Sequence, residues 1–411
     1  MDGTGFMAQA DVIILGGGLV GSTLGVSLGV HGLRSIILDP ADPAVTLAPG
    51  FDGRASAIAS ATHRMFEAIG IAEGLGDEGC PIAAIRATDG LEPGKLDFIP
   101  DAADDPVGVM YENKRLRQAI YDAAVASPLV DLRYQDRAID VRREAHGVTV
   151  TTAGGDTLTA PLLIAAEGRN SPTREAAGIR VARWSYDHAA IITTLGHEES
   201  HENIAYEIFY PAGPFAILPL KDDEHGHRSA IVWTVDAKDR PAMLKLSDRA
   251  FLAEASKKMG GFLGQLSNLS ARSSYPLGFH HAARITAERL VLVGDAAHGI
   301  HPIAGQGLNL GLRDVAALTE VLVEGKRTGL DLGDPYLLER YQRWRGLDTF
   351  AVALATDGLT RLFGIPGKAA SAVRRFGLSA VDSIPPLKAA FMAEARGETG
   401  KLPKLLQGVT A

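Results

Sequence analysis

The 411-residue sequence contains one cysteine, Cys80. A single thiol excludes an intrachain disulfide, a cysteine-ligated iron–sulfur cluster and a cysteine-rich zinc site. No run of about 20 apolar residues is present, so we expect no transmembrane helix. Residues 1–10 contain no basic segment followed by an apolar run, so we expect no signal peptide there. These absences are typical of a cytoplasmic protein.

The sequence also lacks an excess of positive charge, because its net charge is −8. An acidic chain does not present the basic surface that nucleic acids require, so we expect no nucleic-acid partner. The charge is uneven, however: residues 361–411 contain eight Lys/Arg and three Asp/Glu, a local net charge of +5. This basic C-terminal region is either a solvated helical face or a contact with a membrane surface or an acidic partner.

The first informative segment reads as a buried strand, a glycine-rich turn, a helix and a second buried strand. Gly16, Gly18 and Gly21 fit the G-x-G-x-x-G pattern. Such glycines permit a tight turn, close approach of a pyrophosphate and close packing of the helix on the sheet. Asp39 ends the second strand, where a carboxylate accepts hydrogen bonds from the adenosine ribose. The pattern predicts a dinucleotide site without distinguishing FAD from NAD; a tight turn in another α/β protein is the alternative.

Farther along, the chain changes character and then returns to the first pattern. Residues 186–276 contain segments of alternating apolar and polar side chains, which predict an antiparallel sheet. A buried strand at 289–293 and a long helix follow, and the remainder reads mostly as helix. Two further helices are predicted over residues 55–69 and 112–127.

A second glycine-containing segment, residues 294–314, directly follows that later buried strand. Asp295 lies where a carboxylate can bind a polyol chain such as ribityl. Pro302 leaves a bare carbonyl, and Gly305 and Gly307 let the backbone approach a flat ring. The following helix directs its positive end toward that ring, and a reduced flavin is anionic at its pyrimidine edge.

This segment resembles the GD motif of the class A flavoprotein monooxygenases, the p-hydroxybenzoate hydroxylase type, and most closely the branch that hydroxylates ubiquinone precursors. Residues 165–174 are similar to the DG motif of that family, with Glu167 where the family has aspartate. Further similar segments are residues 52–59, 111–113, 213–220 and 357–387. The resemblance covers nearly the whole chain after residue 10.

The resemblance implies a set of site residues. The residues expected to bind FAD are Gly16, Gly18, Gly21, Asp39, Arg54, Arg115, Asp295, Pro302, Gly305, Gly307, Leu308 and Asn309. Arg54 and Pro302 are the candidates for a catalytic role, although the flavin carries out the chemistry. Candidates for the substrate pocket are Tyr210, Phe215 and Leu218.

Several of these residues also fit simpler interpretations. From the sequence alone, Arg54 also fits a surface charge, Asn309 an ordinary helix position, and Phe215 a core residue. No metal is expected, because His298 and His301 have no third ligand nearby.

The implied fold is α/β: a Rossmann-like FAD-binding domain interrupted by an antiparallel-sheet substrate domain and followed by a helical C-terminus. The FAD-binding domain is predicted to be discontinuous, and the substrate domain has two segments. The predicted ranges are 11–80, 101–185 and 277–330 for the first, 81–100 and 186–276 for the second, and 331–411 for the C-terminal region.

The implied reaction is aromatic hydroxylation. By resemblance, reduced FAD reacts with O₂ to give a C4a-hydroperoxyflavin, which transfers one oxygen to a polyprenylated phenol in ubiquinone biosynthesis. The sequence does not distinguish NAD(P)H from a ferredoxin-type protein as the electron donor. No second G-x-G-x-x-G follows a strand, so no separate nicotinamide domain is expected. The alternatives are a hydroxylase of small soluble phenols using NAD(P)H, an FAD oxidase without oxygen insertion, and a flavin-free scaffold.

The same resemblance gives the basic C-terminal region a purpose. Recruitment of a prenylated substrate favours a peripheral contact of this region with the inner membrane or with a quinone-biosynthesis complex. A homo-oligomer is compatible with the sequence as well.

Overall fold

A computed structural model of the chain describes residues 8–48, 53–91, 95–101, 104–299, 306–346, 348–349, 367, 377 and 381–411. The strands in chain order are β1 (Val12–Leu15), β2 (Ser35–Asp39), β3 (Ala55–Ala59), β4 (Cys80–Ile82), β5 (Ala84–Asp89), β6 (Lys95–Phe98), β7 (Gly108–Glu112), β8 (Val130–Tyr134), β9 (Ala138–Glu144), β10 (Gly147–Thr152), β11 (Thr157–Ala160), β12 (Leu162–Ala165), β13 (Val181–His197), β14 (Ile204–Tyr210), β15 (Gly213–Asp223), β16 (Gly226–Asp236), β17 (Leu266–Ser267), β18 (Ser273–Ala282), β19 (Thr286–Ala287), β20 (Leu290–Leu292) and β21 (His298–Gly299).

The helices in chain order are α1 (Leu19–Val30), α2 (Pro43–Thr46), α3 (Ser60–Ala68), α4 (Ile71–Leu75), α5 (Asn113–Ala126), α6 (Pro172–Ala176), α7 (Arg240–Lys245), α8 (Asp248–Met259), α9 (Gln306–Arg327) and α10 (Pro385–Ala395). Residues 335–346 are also helical. Two 3₁₀ turns cover Gly294–Ala296 and Lys404–Gln407.

The first sheet has the strand order β19-β20-β12-β1-β2-β8. All its pairings are parallel except that of the edge strand β19. Val12, Ile13 and Ile14 of β1 are completely buried, as expected where helices cover both faces of a parallel sheet. Because β1 lies between β2 and β12, the strand order reverses at its carboxyl end. Open α/β sheets bind ligands at such a point.

The second sheet has the order β21-β18-β13-β16-β15-β14-β5-β6, with β17 paired to β13. Its pairings are antiparallel except for β14 with β5. One face packs against α8 through a buried cluster that includes Phe215, Trp233 and Phe251. The sheet extends beyond the predicted range of 186–276, because β13 begins at Val181 and β18 ends at Ala282.

Two predicted helices had different outcomes. The helix predicted over residues 112–127 is confirmed as α5. The helix predicted over residues 55–69 begins only at Ser60, because residues Ala55–Ala59 form β3 and pair with β7. Alanine favours a helix, but helix propensity is readily overridden by tertiary contacts, and here pairing with β7 determines the conformation.

The C-terminal residues are part of the packed molecule. Leu405 and Leu406 are buried in the main core, and α10 packs Met392 and Ala395 against a buried cluster that includes Leu220 of β15. Of the helices in the described residues, none is both long and apolar enough to cross a bilayer.

Candidate active site

A cavity of about 770 Å³ lies between the carboxyl edge of the first sheet and one face of the second. This volume falls in the range of roughly 300–1,000 Å³ that is usual for small-molecule and cofactor sites. Five parallel strands of the first sheet contribute residues at or just beyond their carboxyl ends. These lining residues are Gly17, Gly18, Asp39, Tyr134, Ala166, Gly168, Arg169, Gly294 and Asp295. The cavity therefore occupies the position at which the strand order reverses.

The glycine turn after β1 is held by backbone packing. Gly16 has a φ of +104°, and a Cβ added there would overlap the carbonyl oxygen of Ala166. A Cβ at Gly21 would overlap the carbonyl oxygen of Gly16. A Cβ at Gly18 would meet no protein atom within 4 Å. Because Gly18 also lines the cavity, the space beside it is open to a ligand at the N-terminus of α1, where unpaired N–H groups favour phosphate.

Asp39 borders the same turn. Its Oδ2 accepts a hydrogen bond from the N–H of Gly17 at 2.6 Å, and its Oδ1 accepts one from Ala41 at 2.7 Å. These bonds hold the carboxylate in place at the cavity wall. Each oxygen keeps a second lone pair, so Asp39 can still accept bonds from ligand hydroxyls.

Asp295 provides a second carboxylate at the other end of the cavity. It lies in the 3₁₀ turn after β20, and its side chain is exposed to the cavity. The ring of His280 holds this turn, because its Nε2 donates to the carbonyl oxygen of Asp295 at 2.7 Å. Burial lowers the pKa of His280 to about 4. The ring is therefore neutral at physiological pH, and the turn does not depend on its protonation.

The two carboxylates are suitably placed for FAD. Asp39 ends β2 and Asp295 follows β20, three strands away in the sheet, which corresponds to roughly 14 Å at the usual strand spacing. A glycine turn and a helix N-terminus lie between them. FAD has a ribose and a ribityl chain joined through a pyrophosphate, so the residues present fit this cofactor.

A buried ionic network supports the turn that carries Asp295. Asp314 on α9 is completely buried. It accepts hydrogen bonds from the N–H of Gly294 at 2.9 Å, from His298 Nε2 at 2.7 Å and from Arg345 Nε at 2.6 Å. Burial by itself would raise the pKa of Asp314, but the charges of His298 and Arg345 outweigh it and lower that pKa to about 2.

Arg174 joins the two motif-bearing segments. Its buried guanidinium donates from Nη1 to the carbonyl oxygen of Ala296 and from Nη2 to that of Arg169, both at 2.9 Å. Arg169 in turn lines the cavity. Arg174 therefore fixes the position of Arg169 relative to the turn of Asp295.

Glu167, where the family has aspartate, caps a helix. Its Oε2 accepts hydrogen bonds from Ser171 Oγ at 2.6 Å and from the N–H of Thr173 at 3.2 Å. Both donors lie at the start of α6. The extra methylene of glutamate thus reaches the helix N-terminus, where a negative charge is favourable, while Gly168 and Arg169 line the cavity.

The structure brings many of the predicted residues together at the cavity. Those that line it are Gly18, Asp39, Arg54, Leu218, Asp295, Gly307 and Leu308. Gly307 and Leu308 belong to the first turn of α9, so the positive end of that helix faces the cavity. Pro302, Gly305 and His301 lie outside the described residues.

Arg115 is not at the cavity. Its guanidinium is half-exposed and lies 3.3 Å from Glu78. The face of α5 that lines the cavity carries Asn113, Arg117 and Tyr121. Because side chains two positions apart on a helix point in different directions, Arg117 takes the place that we expected for Arg115.

Asn309 positions a neighbouring strand. Its buried side chain accepts from the N–H of Ala59 at 3.0 Å and donates to the carbonyl oxygen of Ala57 at 2.8 Å. The side chain thereby ties α9 to β3, whose residue Ala57 lines the cavity.

Two of the three residues expected in the substrate pocket face the other way. The Tyr210 hydroxyl donates to the carbonyl oxygen of Lys258 on α8 at 2.6 Å. Phe215 packs edge-on against Trp233. Because side chains alternate along a strand, Ala216 and Leu218 face the cavity while Phe215 faces the helix.

Residue-by-residue prediction missed Glu207, Arg169, Arg117 and Tyr275, all of which line the cavity. Burial raises the pKa of Glu207 to about 8. A signal for this residue was present in the sequence. Glu207 is the one charged residue of the apolar and aromatic strand Ile204–Tyr210, and a charge within such a strand seldom serves packing.

Across the described ranges, no three His, Cys, Asp or Glu side chains are grouped so that they could hold a metal ion.

Comparisons with known proteins agree with this geometry. A family described as FAD binding domain matches residues 9–350. The ubiquinone hydroxylase UbiL of Rhodospirillum rubrum is 44% identical over 404 residues, covering 97% of this chain and 93% of that protein. The 3-demethoxyubiquinol 3-hydroxylase of Escherichia coli is 34% identical over 352 residues, covering 84% and 88%. The crystal structure of p-nitrophenol 4-monooxygenase PnpA from Pseudomonas putida has a TM-score of 0.78 at 18% identity, covering 96% and 99%, which supports the fold alone.

Proposed function

Because the chain belongs to the FAD-binding-domain family of class A flavoprotein monooxygenases, we propose that it hydroxylates the ring of a polyprenylated phenol in ubiquinone biosynthesis. The observation that carries this proposal is that two unlike walls border the same cavity. One wall has the carboxylates and helix N-termini that suit FAD. The facing wall presents mainly apolar or small side chains, among them Ile192, Ala216, Leu218 and Val232. A hydrophobic phenol suits that wall, and relatives named for ubiquinone or demethoxyubiquinol hydroxylation cover most of the chain.

The residues of the chain have defined tasks in this reaction. When bound, FAD supplies the redox chemistry and the activation of O₂. The turn at Gly18 and the start of α1 would hold the pyrophosphate, Asp39 would hold the ribose and Asp295 would hold the ribityl chain. The first turn of α9 would present its positive end to the flavin. The apolar sheet wall positions the phenol and excludes water from the site.

Labelled oxygen tests the proposal directly. The FAD-loaded enzyme is supplied with reductant, ¹⁸O₂ and a phenol carrying a short prenyl tail, and the product is examined by mass spectrometry. We expect one labelled oxygen atom in each product molecule. Hydrogen peroxide with an unlabelled product would indicate an oxidase instead. Equal turnover of the same phenol without its tail would favour a hydroxylase of small soluble phenols.

The electron donor in the proposed reaction is NAD(P)H or a ferredoxin-type protein. Loss of the yellow flavin absorbance under anaerobic conditions, followed with each donor in turn, separates the two.

A peripheral membrane contact through the C-terminal region is part of the proposal. Several of its described cations are engaged in ion pairs: Lys388 lies 2.7 Å from Asp382 in the same region, and Arg396 lies 2.8 Å from Asp104. Two large apolar side chains on one side of α10 are exposed, since Leu387 and Phe391 are 39% and 40% exposed. We therefore assign the main part of membrane binding to this apolar pair.

Co-sedimentation with anionic phospholipid vesicles tests the membrane contact. We expect the double variant Leu387→Ser/Phe391→Ser to sediment several-fold less than the parent protein, because apolar burial in the interface is lost. Val45→Ser, at an exposed apolar position on α2, is the matched control. Truncation is unsuitable, because Leu405 and Leu406 belong to the core. Unchanged sedimentation of the double variant would exclude this contact.

A further inference from the structure

Glu207 lies on the cavity wall formed by the second sheet. On β14 its partner positions are Ala216 of β15 and Ala87 of β5. Directly paired residues point to the same face of a sheet, so both alanines flank Glu207 on the cavity side. Ala216 lines the cavity beside the carboxyl group, whereas Ala87 is buried against Leu96 and Phe209. The neighbours of Glu207 on this face are therefore small or apolar.

The side chains next to this carboxyl group are apolar, and the polar groups of the cavity lie farther away. Within the part of the chain that the structure describes, no side chain or backbone group bonds to it, and burial alone accounts for its raised pKa. From the packed strands, Ala87, Ala216 and Val232 approach on this face.

Among the described residues, few ionisable groups face the part of the cavity near Glu207. Asp89 lies on the same face of β5, and Tyr275 lies on β18 farther along the sheet. Arg54 and Arg169 approach from the other walls near Tyr275.

A structural role does not explain Glu207. Glu207 is half-buried in the cavity wall, and withdrawing a carboxylate from water without a partner costs free energy of folding. An unpartnered acid that faces a ligand cavity indicates a task at the ligand. The chemistry available to it is proton exchange or hydrogen bonding with a polar group of the substrate.

We propose that Glu207 binds the ring hydroxyl of the substrate and acts as the base that accepts its proton during hydroxylation. This inference rests on the proposed function. The proton passes from the phenol oxygen to a carboxylate oxygen, giving a phenolate and a neutral carboxylic acid. The phenolate ring is richer in electrons at its ortho and para carbons, which favours attack on an electrophilic oxygen atom. When the hydroxylated carbon has lost its own proton to water, the carboxylic acid returns the first proton to the phenolate oxygen.

The burial of Glu207 suits it to this task. An ordinary carboxylate is too weak a base to deprotonate a phenol. A carboxyl group with a pKa of about 8 has a pKa nearer to that of the phenol and is still partly ionised at neutral pH. The ionised form is the active one. The rate should therefore rise with pH up to about 8 and level off above it.

The test compares Glu207→Gln, Glu207→Asp and Tyr206→Phe in the FAD-loaded enzyme. Glutamine retains the shape and loses the base. Tyr206 lies on the same strand but faces away from the cavity, so Tyr206→Phe controls for changes in the strand. We expect kcat of Glu207→Gln to fall by about 100- to 10,000-fold, the usual range for a lost general base, and its pH dependence below 8 to disappear. Glu207→Asp should recover part of the rate together with a pH dependence.

A second measurement does not require turnover. A prenylated nitrophenol, whose phenolate is coloured, is added to the oxidised enzyme. We expect the phenolate spectrum with the parent protein and with Tyr206→Phe, and the neutral phenol spectrum with Glu207→Gln. Parent-like kcat and pH profile in Glu207→Gln, or phenolate binding by that variant, would overturn the inference. If the parent protein inserts no labelled oxygen yet binds the phenolate through Glu207, the proposed function fails while the proton-accepting role remains.

Discussion

Gly21→Ala is expected to weaken FAD binding by at least about 100-fold, or about 2.8 kcal/mol. A Cβ at position 21 overlaps the carbonyl oxygen of Gly16 and comes within 3.1 Å of the Ala166 Cβ. The neighbouring backbone cannot retreat, because Gly16 itself lies against the carbonyl of Ala166. Relief of the overlap must therefore move α1 or the glycine turn, which is the surface proposed to hold the pyrophosphate.

The direction of this effect opposes helix propensity. Alanine is favoured over glycine inside a helix by about 1 kcal/mol, so α1 considered alone would gain stability. Overpacking against fixed backbone costs about 1–3 kcal/mol. We therefore expect the apoprotein of Gly21→Ala to melt below the parent protein, in addition to its loss of FAD affinity.

Gly18→Ala is the matched control for the loss of stability. Its Cβ would meet no protein atom within 4 Å, and its φ of −72° is available to alanine. We expect its apoprotein to melt with the parent protein and only its FAD affinity to fall, because the methyl group enters ligand space. Titration of both apoproteins with FAD and their thermal unfolding measure the two quantities. Parent-like FAD binding by Gly21→Ala would show that the turn is not held as described.

The predicted site residues that line the cavity have positions set by local structure. Asp39 ends one buried parallel strand and Asp295 follows another, and the carboxyl ends of such strands meet at one edge of a sheet. Their arrangement at the cavity follows from that geometry. The glycine turn is equally local, because its contacts run between β1, α1 and the residues after β12.

For the predicted site residues that do not line the cavity, the outcome depends on which side of a helix or strand faces the cavity. Arg115 and Arg117 lie on one helix, and only packing against the sheet determines that the second arginine faces the cavity. Phe215 and Ala216 are adjacent on one strand, and their directions are set by α8 on the far side. Phe215 is the predicted pocket residue because it is aromatic, whereas Ala216 lines the cavity because its small side chain leaves space for a ligand. Such orientation comes from tertiary contacts between distant segments.

Asp314→Ala is expected to reduce the free energy of unfolding by about 3–5 kcal/mol, the usual cost of removing one partner from a buried ion pair. Arg345 is completely buried and loses the acceptor of its Nε hydrogen bond. His298 loses the acceptor of its Nε2 at the same time. Against a total stability of typically 5–15 kcal/mol, this loss is a large fraction. Urea unfolding of the apoprotein measures it.

Two further variants show how much of the lost stability comes from the buried charge. They are Asp314→Asn, which keeps the shape of the side chain, and Asp131→Ala, which removes a partner from a surface ion pair. Asp314→Asn retains one acceptor oxygen in place of two, so we expect a smaller loss than for alanine. Asp131 lies 2.9 Å from Arg133 and its side chain is 48% exposed. Exposed pairs of this kind contribute about 0–1 kcal/mol, so Asp131→Ala should have little effect. A loss in Asp131→Ala equal to that in Asp314→Ala would contradict the role assigned to the buried network.

The network also predicts a pH dependence. The pKa of Asp314 is about 2 in the folded protein, below its ordinary value of 3.8. A carboxyl group with a lowered folded-state pKa stabilises the fold above its ordinary pKa, and this contribution is lost as pH falls from about 4 toward 2. The free energy of unfolding of the parent protein should therefore fall by about 2 kcal/mol more than that of Asp314→Asn between pH 5 and 2.

Acid should also affect FAD binding. Because Asp314 accepts a hydrogen bond from the N–H of Gly294, protonation of Asp314 should release the turn that carries Asp295. FAD affinity should then fall over the same pH range in the parent protein, whereas in Asp314→Asn it should already be low at pH 7 and change less with acid.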